Sequence, residues 1–457
     1  MWMLIEDIKP NEDVNCKKDF TPFSFYVDSG HMLEKRNIIV ITLDSLRADH
    51  CSFMGYERKT TPTIDKMARK GLYFENAVAA SIATAPSMFT ALTGDYPSLE
   101  SNNYNPKDWR KEIATKKTIS ELLSEKGYFT AAFSPNIAFS SYFGFSKGFQ
   151  YFDDFQHHRK FRSHERFQRI GSTKFTRFFV YLYDILRERG IATPWEDTYN
   201  YILNKIRRMP KPYFVWILLL DTHIPYIPPR KYRRWSNIAH IVYSNYLAYR
   251  GPFFEYFEKV FCRLIDARNA YDDCIRYADQ FVKNLFNDLS CDDPIFIIHG
   301  DHGEGFGEHG FYGHPPGYPV VLYEEFIHVP LVIYNADIKG KVKKNISLKY
   351  LPLIIQDLAD TGSITSDGGE EWVISKVFDR GKIKIAIRMK NWKFITGQKE
   401  EDELYNLKKD PYEQENLIDD HPDLVKEMKK IIKKHIKHEM EIRKIREKLS
   451  ILKRRVK

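Results

Sequence analysis

Three nearly continuous hydrophobic segments stand out along the chain, and each runs into polar residues with reactive side chains. The segments span residues 37–43, 213–220 and 294–298, and they are followed by Asp44, by Asp221-Thr-His223 and by His299-Gly-Asp-His302. A hydrophobic run of strand length without polar alternation is typical of a central parallel strand that is buried on both faces. Because ligands bind at the carboxyl ends of such strands in open α/β sheets, we expect these polar side chains to lie along one rim.

Helical segments separate these strands, and the alternation predicts an α/β fold. Residues 118–127, for example, begin with Thr and end with Gly, which are ordinary cap residues of a helix. Strands that alternate with helices form a doubly wound, mostly parallel sheet flanked by helices. Towards the end of the chain, residues 382–388 and 392–395 have the pattern of short strands in a smaller α+β unit.

The pattern divides the chain into four parts. We predict an N-terminal extension over residues 1–34, a catalytic domain over 35–337, a small C-terminal subdomain over 338–420 and a basic helix over 421–457. Between residues 156 and 263, two insertions of about 156–210 and 230–263 are rich in Arg, Lys, Phe and Tyr with helical spacing. They are either solvated helices with aromatic core faces or a cap that recognises substrate.

The last segment repeats apolar residues and two histidines with heptad spacing. The repeating positions are Leu424, Met428, Ile431, His435, His438, Ile442, Ile445, Leu449, Leu452 and Val456. This spacing predicts one long helix. Three roles fit it: docking of the apolar stripe on the catalytic domain, self-association, or attachment to an anionic membrane surface.

The net charge of +9 is concentrated in this helix. Residues 426–457 contain 14 Lys or Arg against four Glu, a net charge of +10, so the rest of the 457-residue chain is close to neutral. A basic surface that would bind nucleic acid is therefore not expected on the catalytic domain.

Neither a membrane-spanning segment nor an export signal is expected. The longest strongly apolar run, residues 214–220, is far shorter than the ~20 residues that cross a bilayer. The N-terminus lacks the basic start and the apolar stretch of a signal peptide. We expect a cytoplasmic protein, peripheral at the membrane if the basic helix attaches there.

The cysteines lack metal-site spacing and are expected to be reduced thiols; they are Cys16, Cys51, Cys262, Cys274 and Cys291.

Several short motifs follow one another in a fixed order over most of the chain. They occupy residues 37–49, 61–65, 71–76, 85–94, 221–226, 300–310 and 328–331, with a closing motif between 403 and 417. This series resembles the sulfatase family of the alkaline-phosphatase-like superfamily. The resemblance implies a metal-dependent esterase whose doubly wound sheet is followed by a four-stranded C-terminal subdomain.

The chain departs from that family's pattern at key positions. Thr84 and Met88 stand where the family carries the Cys or Ser that becomes formylglycine and a motif Arg. A threonine cannot become an aldehyde because its β-carbon already carries a methyl group, so no formylglycine is expected. Ser45 and His302 replace an Asp and an Asn, and Asn136 lies where a Lys and a His are usual. With these residues the chain resembles a threonine-nucleophile variant, similar to phosphonate monoester hydrolases and to phosphoglycerol or phosphoethanolamine transferases.

Two carboxylates and one imidazole are the predicted protein ligands of one divalent metal ion. They belong to Asp44, Asp301 and His302, and the hydroxyl of Thr84 completes the predicted set. A mixture of oxygen and nitrogen donors suits Mn²⁺ or Zn²⁺ better than Ca²⁺. The alternative is that these residues only shape turns at the ends of strands.

Thr84 is the predicted nucleophile. It lies where a helix is expected to begin, so exposed backbone N–H groups would help to hold an anionic ester, although a plain helix cap is the alternative. His223 and His314 are predicted to act in catalysis, and Asn136 and Ser45 to bind substrate. A buried structural role is the alternative for His223.

Other polar residues near these motifs are expected to orient their neighbours. This applies to His299 and His309, while Arg47 and Asp49 are expected to form a structural ion pair.

The predicted function is transfer or hydrolysis of a phosphoric or sulfuric ester through a covalent intermediate on Thr84, with phosphoesters preferred. The substrate is expected to be a phosphate or sulfate ester, carried by a lipid or a glycan in several related transferases. One alternative is a sulfatase that uses Thr84 without formylglycine. The other is a binding protein that keeps the fold but lacks catalysis.

Overall fold

The computed structural model describes most of the chain beyond residue 34. The described ranges are 35–98, 105–155, 194–250, 267–314, 321–364, 369–379, 382–397 and 401–455. The predicted N-terminal extension (1–34) and residues 156–193 and 251–263 of the predicted insertions lie outside these ranges. Their predicted roles stay predictions.

A mostly parallel sheet of eight strands forms the centre of the described part of the chain. The strands are β1 (Ile38–Leu43), β2 (Leu72–Val78), β3 (Phe129–Phe133), β4 (Tyr151–Asp153), β5 (Tyr213–Leu219), β6 (Ile295–Gly300), β7 (His328–Tyr334) and β8 (Gly340–Ser347). Their order is β4-β3-β5-β1-β6-β7-β2-β8, and β7 alone among them runs antiparallel to its neighbours. The three predicted hydrophobic strands are β5, β1 and β6, which are adjacent at the centre and buried along their whole length.

Helices cover both faces of this sheet. They are α1 (Pro62–Lys70), α2 (Thr84–Thr93), α3 (Pro106–Ala114), α4 (Ile119–Glu125), α5 (Trp195–Ile206), α6 (Ile238–Arg250), α7 (Arg268–Asp288), α8 (Glu324–Ile327) and α9 (Leu351–Thr361). A further helix, α10 (Pro422–Arg455), lies outside these two layers. Ile38 and Val40 of β1 join a core with α2, α3, α4 and α9, whereas Ile39 and Ile41 join a second core with α1, α5 and α7. Alternate residues of one strand thus face different helical layers, which confirms the doubly wound prediction.

A small antiparallel sheet follows in the C-terminal part of the chain. It consists of β9 (Trp372–Asp379), β10 (Lys382–Met389), β11 (Trp392–Gly397) and β12 (Glu403–Asn406), in the order β12-β11-β10-β9. The predicted strands at 382–388 and 392–395 are therefore confirmed. β8 and α9 lie within the range predicted for the subdomain, but they belong to the large sheet and its helical layer.

The predicted basic helix is α10, and its first half docks on the small sheet. Val425, Met428 and Ile432 are buried in a core with Phe394 and Leu404 of that sheet. Further along the helix, Ile445 is 57% exposed. The seam side chains from Leu449 onward lie outside the described residues. Docking therefore accounts for the beginning of the predicted seam, while self-association and membrane attachment stay predictions.

The C-terminal part also forms hydrogen bonds with the chain before and after α2. Before α2, the carbonyl oxygens of Ala79 and Ala80 accept hydrogen bonds from the hydroxyl of Ser375, at 2.6 Å, and from the backbone N–H of Lys376, at 2.8 Å. After α2, the hydroxyl of Tyr96 donates to the carbonyl oxygen of Ile374 at 2.7 Å. Strand β9 thus contacts the chain on either side of this helix.

α10 reinforces that attachment through a buried ion pair. Nζ of Lys376 lies 2.5 Å from Oε2 of Glu439 and 4.2 Å from the ring centre of Tyr96. The ring of His435 contacts the same tyrosine edge-on, at 5.4 Å between ring centres. The helix therefore packs against the residues that anchor α2.

Two further expectations from the sequence concerned membrane-spanning helices and the state of the cysteines. No helix in the described ranges combines the length and the apolar character that crossing a membrane requires. Cys51, Cys274 and Cys291 are free thiols, in agreement with the expectation of reduced cysteines.

Candidate active site

The ends of β1 and β6 bring three ionisable side chains together. Asp44 follows β1, Asp301 and His302 follow β6, and all three side chains are fully buried. One donor atom from each lies within 4.8 Å of the others. Among the described residues, this is the one cluster of three or more His, Cys, Asp or Glu side chains with such spacing. The structure therefore brings together the carboxylates and the imidazole that the sequence predicted as metal ligands.

Backbone and hydroxyl donors fix the two carboxylates. Oδ1 of Asp301 accepts hydrogen bonds from the backbone N–H groups of Ser45, at 3.0 Å, and His302, at 2.9 Å. The hydroxyl of Ser45 donates to Oδ1 of Asp44 at 3.0 Å. Ser45 is fully buried and has a left-handed φ of 61°. The structure thus places this predicted substrate-binding residue against the carboxylates, where its backbone and hydroxyl orient them.

The donor set fits a metal ion. Oδ2 of Asp301 is buried and has no hydrogen-bond partner among the described residues, an arrangement that is costly unless a cation binds there. Nδ1 of His302 lies 2.9 Å from the carbonyl oxygen of Gly303, so this nitrogen donates and Nε2 keeps a lone pair. Position 303 requires glycine, because the Cβ atom of any other residue would lie 2.0 Å from the carbonyl oxygen of Glu325.

Burial and neighbouring charges shift the pKa values of all three residues of the cluster. Burial and the negative charge of Asp44 raise the pKa of Asp301 well above its ordinary value. Burial also tends to raise the pKa of Asp44, but the imidazoles of His223, His302 and His314 and a hydrogen bond from Asn136 lower it. Burial lowers the pKa of His302, which favours the neutral imidazole that a metal ion requires.

Thr84 opens helix α2 beside this cluster. Its side-chain oxygen, Oγ1, lies 3.4 Å from Oδ2 of Asp44 and 3.5 Å from Nε2 of His302. α2 begins at Thr84, as the sequence predicted, and Ala83 precedes it in an extended conformation. The hydroxyl therefore lies where the N-terminus of a helix, with its unpaired N–H groups and positive dipole end, meets the predicted metal ligands.

Asn136 completes this side of the site. Its Oδ1 accepts a hydrogen bond from the backbone N–H of Ala138 at 2.8 Å, which fixes the orientation of the amide. Its Nδ2 consequently faces the site and donates to Oδ2 of Asp44 at 2.5 Å and to Oγ1 of Thr84 at 3.3 Å. The residue that the sequence predicted to bind substrate thus contacts both the proposed nucleophile and a predicted ligand.

Two histidines also lie next to the cluster. The rings of His223 and His314 meet edge-on at 4.9 Å between centres, and the ring of His314 lies 4.4 Å from that of His302. Nδ1 of His223 donates to the carbonyl oxygen of Ile224 at 2.6 Å. The structure therefore gathers both predicted catalytic histidines beside the predicted metal ligands.

Two further residues, which were not predicted from the sequence, lie behind these histidines. Oε1 of Glu304 lies 2.9 Å from Nδ1 of His314, and Oε2 accepts a hydrogen bond from the hydroxyl of Tyr226 at 2.6 Å. Burial would raise the pKa of Glu304, but His314 and both hydrogen bonds lower it, so Glu304 is a carboxylate. The sequence feature that could have identified Glu304 is its position two residues after His302.

The match to a known protein family shows which family the chain belongs to. Residues 36–361 match the model of the sulfatase family, described as "Sulfatase". The chain belongs to the sulfatase family. This match includes every predicted site residue, from Asp44 to His314.

Curated sulfatases match this family member over different lengths. An N-acetylgalactosamine-6-O-sulfatase of Bacteroides thetaiotaomicron is 38% identical over 22% of this chain and 20% of its own length. Human iduronate 2-sulfatase is 24% identical over 65% of this chain and 59% of its own length. An arylsulfatase of Clostridium perfringens is 23% identical over 88% of this chain and 94% of its own length. The chain thus covers less than two thirds of the first two relatives and nearly all of the third.

Solved structures show the same fold. A phosphonate monoester hydrolase of Agrobacterium radiobacter superposes with a TM-score of 0.64 at 17% identity, covering 88% of this chain and 96% of that one. A protein of the alkaline phosphatase superfamily from Vibrio parahaemolyticus gives a TM-score of 0.53 at 17% identity, covering 82% and 80% of the two chains. At these identities the likeness concerns the fold alone, and it confirms the alkaline-phosphatase-like architecture.

In this sulfatase-family chain, the polar residues that were expected to orient their neighbours have partners in the structure. Arg47 donates to both oxygens of Asp49, at 2.9 and 2.7 Å, which confirms the predicted pair. His299 contacts Oγ1 of Thr42 and the carbonyl oxygen of Gly300, each at 2.9 Å, and burial lowers its pKa to about 4. This histidine lies in the core of the sheet.

His309 has a different position from His299. Its Nδ1 contacts Oε1 of Glu325 at 2.7 Å, and its Nε2 donates to the carbonyl oxygen of Glu413 at 3.2 Å. The ring also stacks on Tyr323, with 3.6 Å between ring centres. His309 therefore ties the loop after β6 to the C-terminal part of the chain.

Proposed function

We propose that the protein transfers a phosphoryl-type group from an ester to water or an alcohol through a covalent intermediate on Thr84. The position of Oγ1 of Thr84, 3.4 Å from Asp44 and 3.5 Å from His302 at the start of α2, carries this proposal. Transfer of a phosphoryl group depends on neutralising charge and on positioning the nucleophile in line with the leaving oxygen.

Asp44, Asp301 and His302 would hold one divalent metal ion, with Thr84 as a further ligand. When bound, such an ion lowers the pKa of a coordinated hydroxyl and neutralises anionic oxygens of the ester. Mn²⁺ or Zn²⁺ suits the mixed oxygen and nitrogen donors better than Ca²⁺. The other contributions to the reaction come from residues of the chain.

The reaction takes place in two steps. In the first, the hydroxyl of Thr84 loses its proton, Oγ1 forms a bond to phosphorus, the bond from phosphorus to the leaving oxygen breaks, and that oxygen takes a proton and departs as an alcohol. In the second, water or another alcohol loses a proton, its oxygen bonds to phosphorus, the bond to Oγ1 breaks, and Oγ1 of Thr84 takes up a proton again. His223 and His314 are the groups proposed to move these protons.

Asn136 and the first turn of α2 are proposed to hold the anionic oxygens of the ester. Nδ2 of Asn136 already faces Oγ1 of Thr84, and the first N–H groups of a helix lack partners within it. Oriented donors of this kind stabilise charge that develops in a transition state.

Phosphodiesters or phosphonate-like esters are the preferred substrates. The support is the threonine at position 84, since it supplies a hydroxyl nucleophile but cannot become the aldehyde on which ordinary sulfatase chemistry depends. Hydrolysis of a sulfate ester by Thr84 itself is the second candidate, and the names of the curated relatives favour it. The ester group would be carried by a glycan or a lipid.

A panel of aryl sulfate, aryl phosphate, aryl phosphodiester and aryl phosphonate monoester substrates tests this proposal. We expect the highest kcat/KM on the diester or the phosphonate, and a rapid acid quench should leave a phosphorus adduct on the peptide that contains Thr84. A rate on the sulfate far above those on all phosphorus esters would instead establish the second candidate. Absence of turnover together with absence of bound metal would identify a binding protein.

A further inference from the structure

Glu304 connects the two loops that carry the catalytic histidines. It lies in the loop after β6, and its buried carboxylate contacts Nδ1 of His314 through one oxygen, at 2.9 Å. The other oxygen accepts a hydrogen bond at 2.6 Å from the hydroxyl of Tyr226, which lies three residues after His223 in the loop after β5. A single side chain therefore contacts His314 and the neighbourhood of His223.

The backbone of Glu304 is held in place independently. Its N–H donates to the carbonyl oxygen of Glu325 at 2.9 Å, and its carbonyl oxygen accepts a hydrogen bond from Nη1 of Arg47 at 2.9 Å. Arg47 is itself fixed by Asp49 and by Glu308, whose carboxylate lies 2.6 Å from Nη1. The carboxylate of Glu304 thus extends from a rigid base, and this rigidity allows it to orient a partner.

The contact with Glu304 determines where His314 carries its proton. A carboxylate only accepts hydrogen bonds, so Nδ1 of His314 must be the donor. Nε2 is then the ring nitrogen that remains for the reacting group. Without the carboxylate, the neutral ring could carry its proton on either nitrogen and could rotate.

We propose that Glu304 is a positioning residue that, supported by Tyr226, fixes the orientation and the tautomer of His314. This inference rests on the proposed function, because it gives His314 a role in proton transfer. Glu304 is not proposed to touch the substrate or the metal ion. Its effect on turnover passes through His314.

A double-mutant cycle tests this coupling. We expect Glu304→Gln to lower kcat about 10- to 100-fold on the best substrate of the panel, because an amide cannot accept both hydrogen bonds. In the His314→Ala background, the same change should cost less than about twofold, since the residue it positions is gone. Equal costs in both backgrounds, or loss of bound metal in Glu304→Gln, would overturn the proposal.

The tautomer itself can be observed without any assay of activity. In protein labelled with ¹⁵N-histidine, we expect the neutral ring of His314 to carry its proton on Nδ1, and this signature should be lost in Glu304→Gln and retained in Glu403→Gln. Glu403 is a matched control because it also accepts tyrosine hydroxyl groups, from Tyr323 and Tyr405, but it lies in β12. A proton on Nε2 in the unmodified protein would refute the assignment, whether or not the protein is an esterase.

Discussion

Oγ1 of Thr84 lies 3.5 Å from Nε2 of His302. The two residues are 218 positions apart in the chain and come from different elements, the start of α2 and the end of β6. Nδ1 of His302 is occupied by the carbonyl oxygen of Gly303, so Nε2 faces the threonine with a lone pair. The pair places a potential nucleophile and a potential metal ligand in one buried site.

Removal of the Thr84 hydroxyl should abolish turnover without emptying the metal site. We expect Thr84→Ala to lower kcat by at least about 10³-fold, because the covalent step loses its nucleophile. Thr84→Ser should retain measurable turnover, since it keeps the hydroxyl. Thr93→Ala is the control, because Thr93 lies at the other end of α2 and its hydroxyl bonds to the carbonyl oxygen of Phe89. Wild-type turnover in Thr84→Ala would reject the nucleophile.

Metal binding should stabilise the fold through Asp301. At a free Mn²⁺ or Zn²⁺ concentration about 100 times Kd, we expect the free energy of unfolding to rise by about 2.7 kcal/mol over the chelated protein. Asp301→Asn should lose this response, because it removes the buried carboxylate whose Oδ2 has no partner among the described residues. Asp273→Asn should keep the response even if it is less stable, since Asp273 binds the backbone of residues 234–236. A thermal shift assay with and without chelator distinguishes these outcomes.

The ion pair between Lys376 and Glu439 should stabilise the docking of α10. We expect Glu439→Gln to lower the free energy of unfolding by about 2 kcal/mol, because it leaves the Lys376 ammonium buried without its partner. This value lies below the range for fully buried pairs because the Glu439 side chain is 28% exposed. Glu441→Gln on the exposed face of α10 is the matched control.

The effect of Glu439→Gln should depend on pH in a defined direction. Burial alone would raise the pKa of Glu439, but the close contact with His435 and the hydrogen bond and charge of Lys376 lower it to about 2. The stabilisation is therefore present above the ordinary value of 4.5 and is lost as pH falls from 4.5 towards 2. Denaturation curves should show a constant difference between variant and wild type above pH 5 that shrinks in acid. A difference that grows in acid would contradict this origin.

Truncation after residue 439 should leave the catalytic fold intact. The described docking contacts of α10 involve residues from Leu424 to Glu439, and we expect activity to survive removal of residues 440–457. Sedimentation of the full and the truncated chain measures the contribution of this segment to self-association. Equal masses would reject self-association through residues 440–457, and flotation with anionic vesicles would then test attachment to a membrane.

The strands and the cluster of Asp44, Asp301 and His302 could be predicted because local sequence determines them. β1, β5 and β6 are hydrophobic on both faces, and a parallel sheet brings their carboxyl ends to one edge, so Asp44 and Asp301 had to approach each other. The start of α2 at Thr84 follows from local helix signals and from the resemblance to the sulfatase family. Thr84, Asn136 and the histidines could then be assigned to the same edge.

The partners behind the site could not be predicted in this way. Glu304 and Tyr226 are 78 residues apart, and Lys376 and Glu439 are 63 residues apart, so their contacts depend on how distant segments pack. The apparent separation of the C-terminal subdomain at residue 338 has a similar origin. β8 looks like a short polar strand in sequence, but it pairs with β2 in the large sheet.

The attachment of β9 and α10 to the two ends of α2 has a consequence for how the protein matures during synthesis. The residues that anchor the chain around Thr84 include Ser375, Lys376 and Glu439, which leave the ribosome about 290 to 355 residues after the threonine itself. A nascent chain can fold its large sheet before then, since domains fold as units during translation. The helix with the proposed nucleophile would be fully supported only when the chain has been made as far as Glu439, so a chain that terminates before this residue should not release an active enzyme.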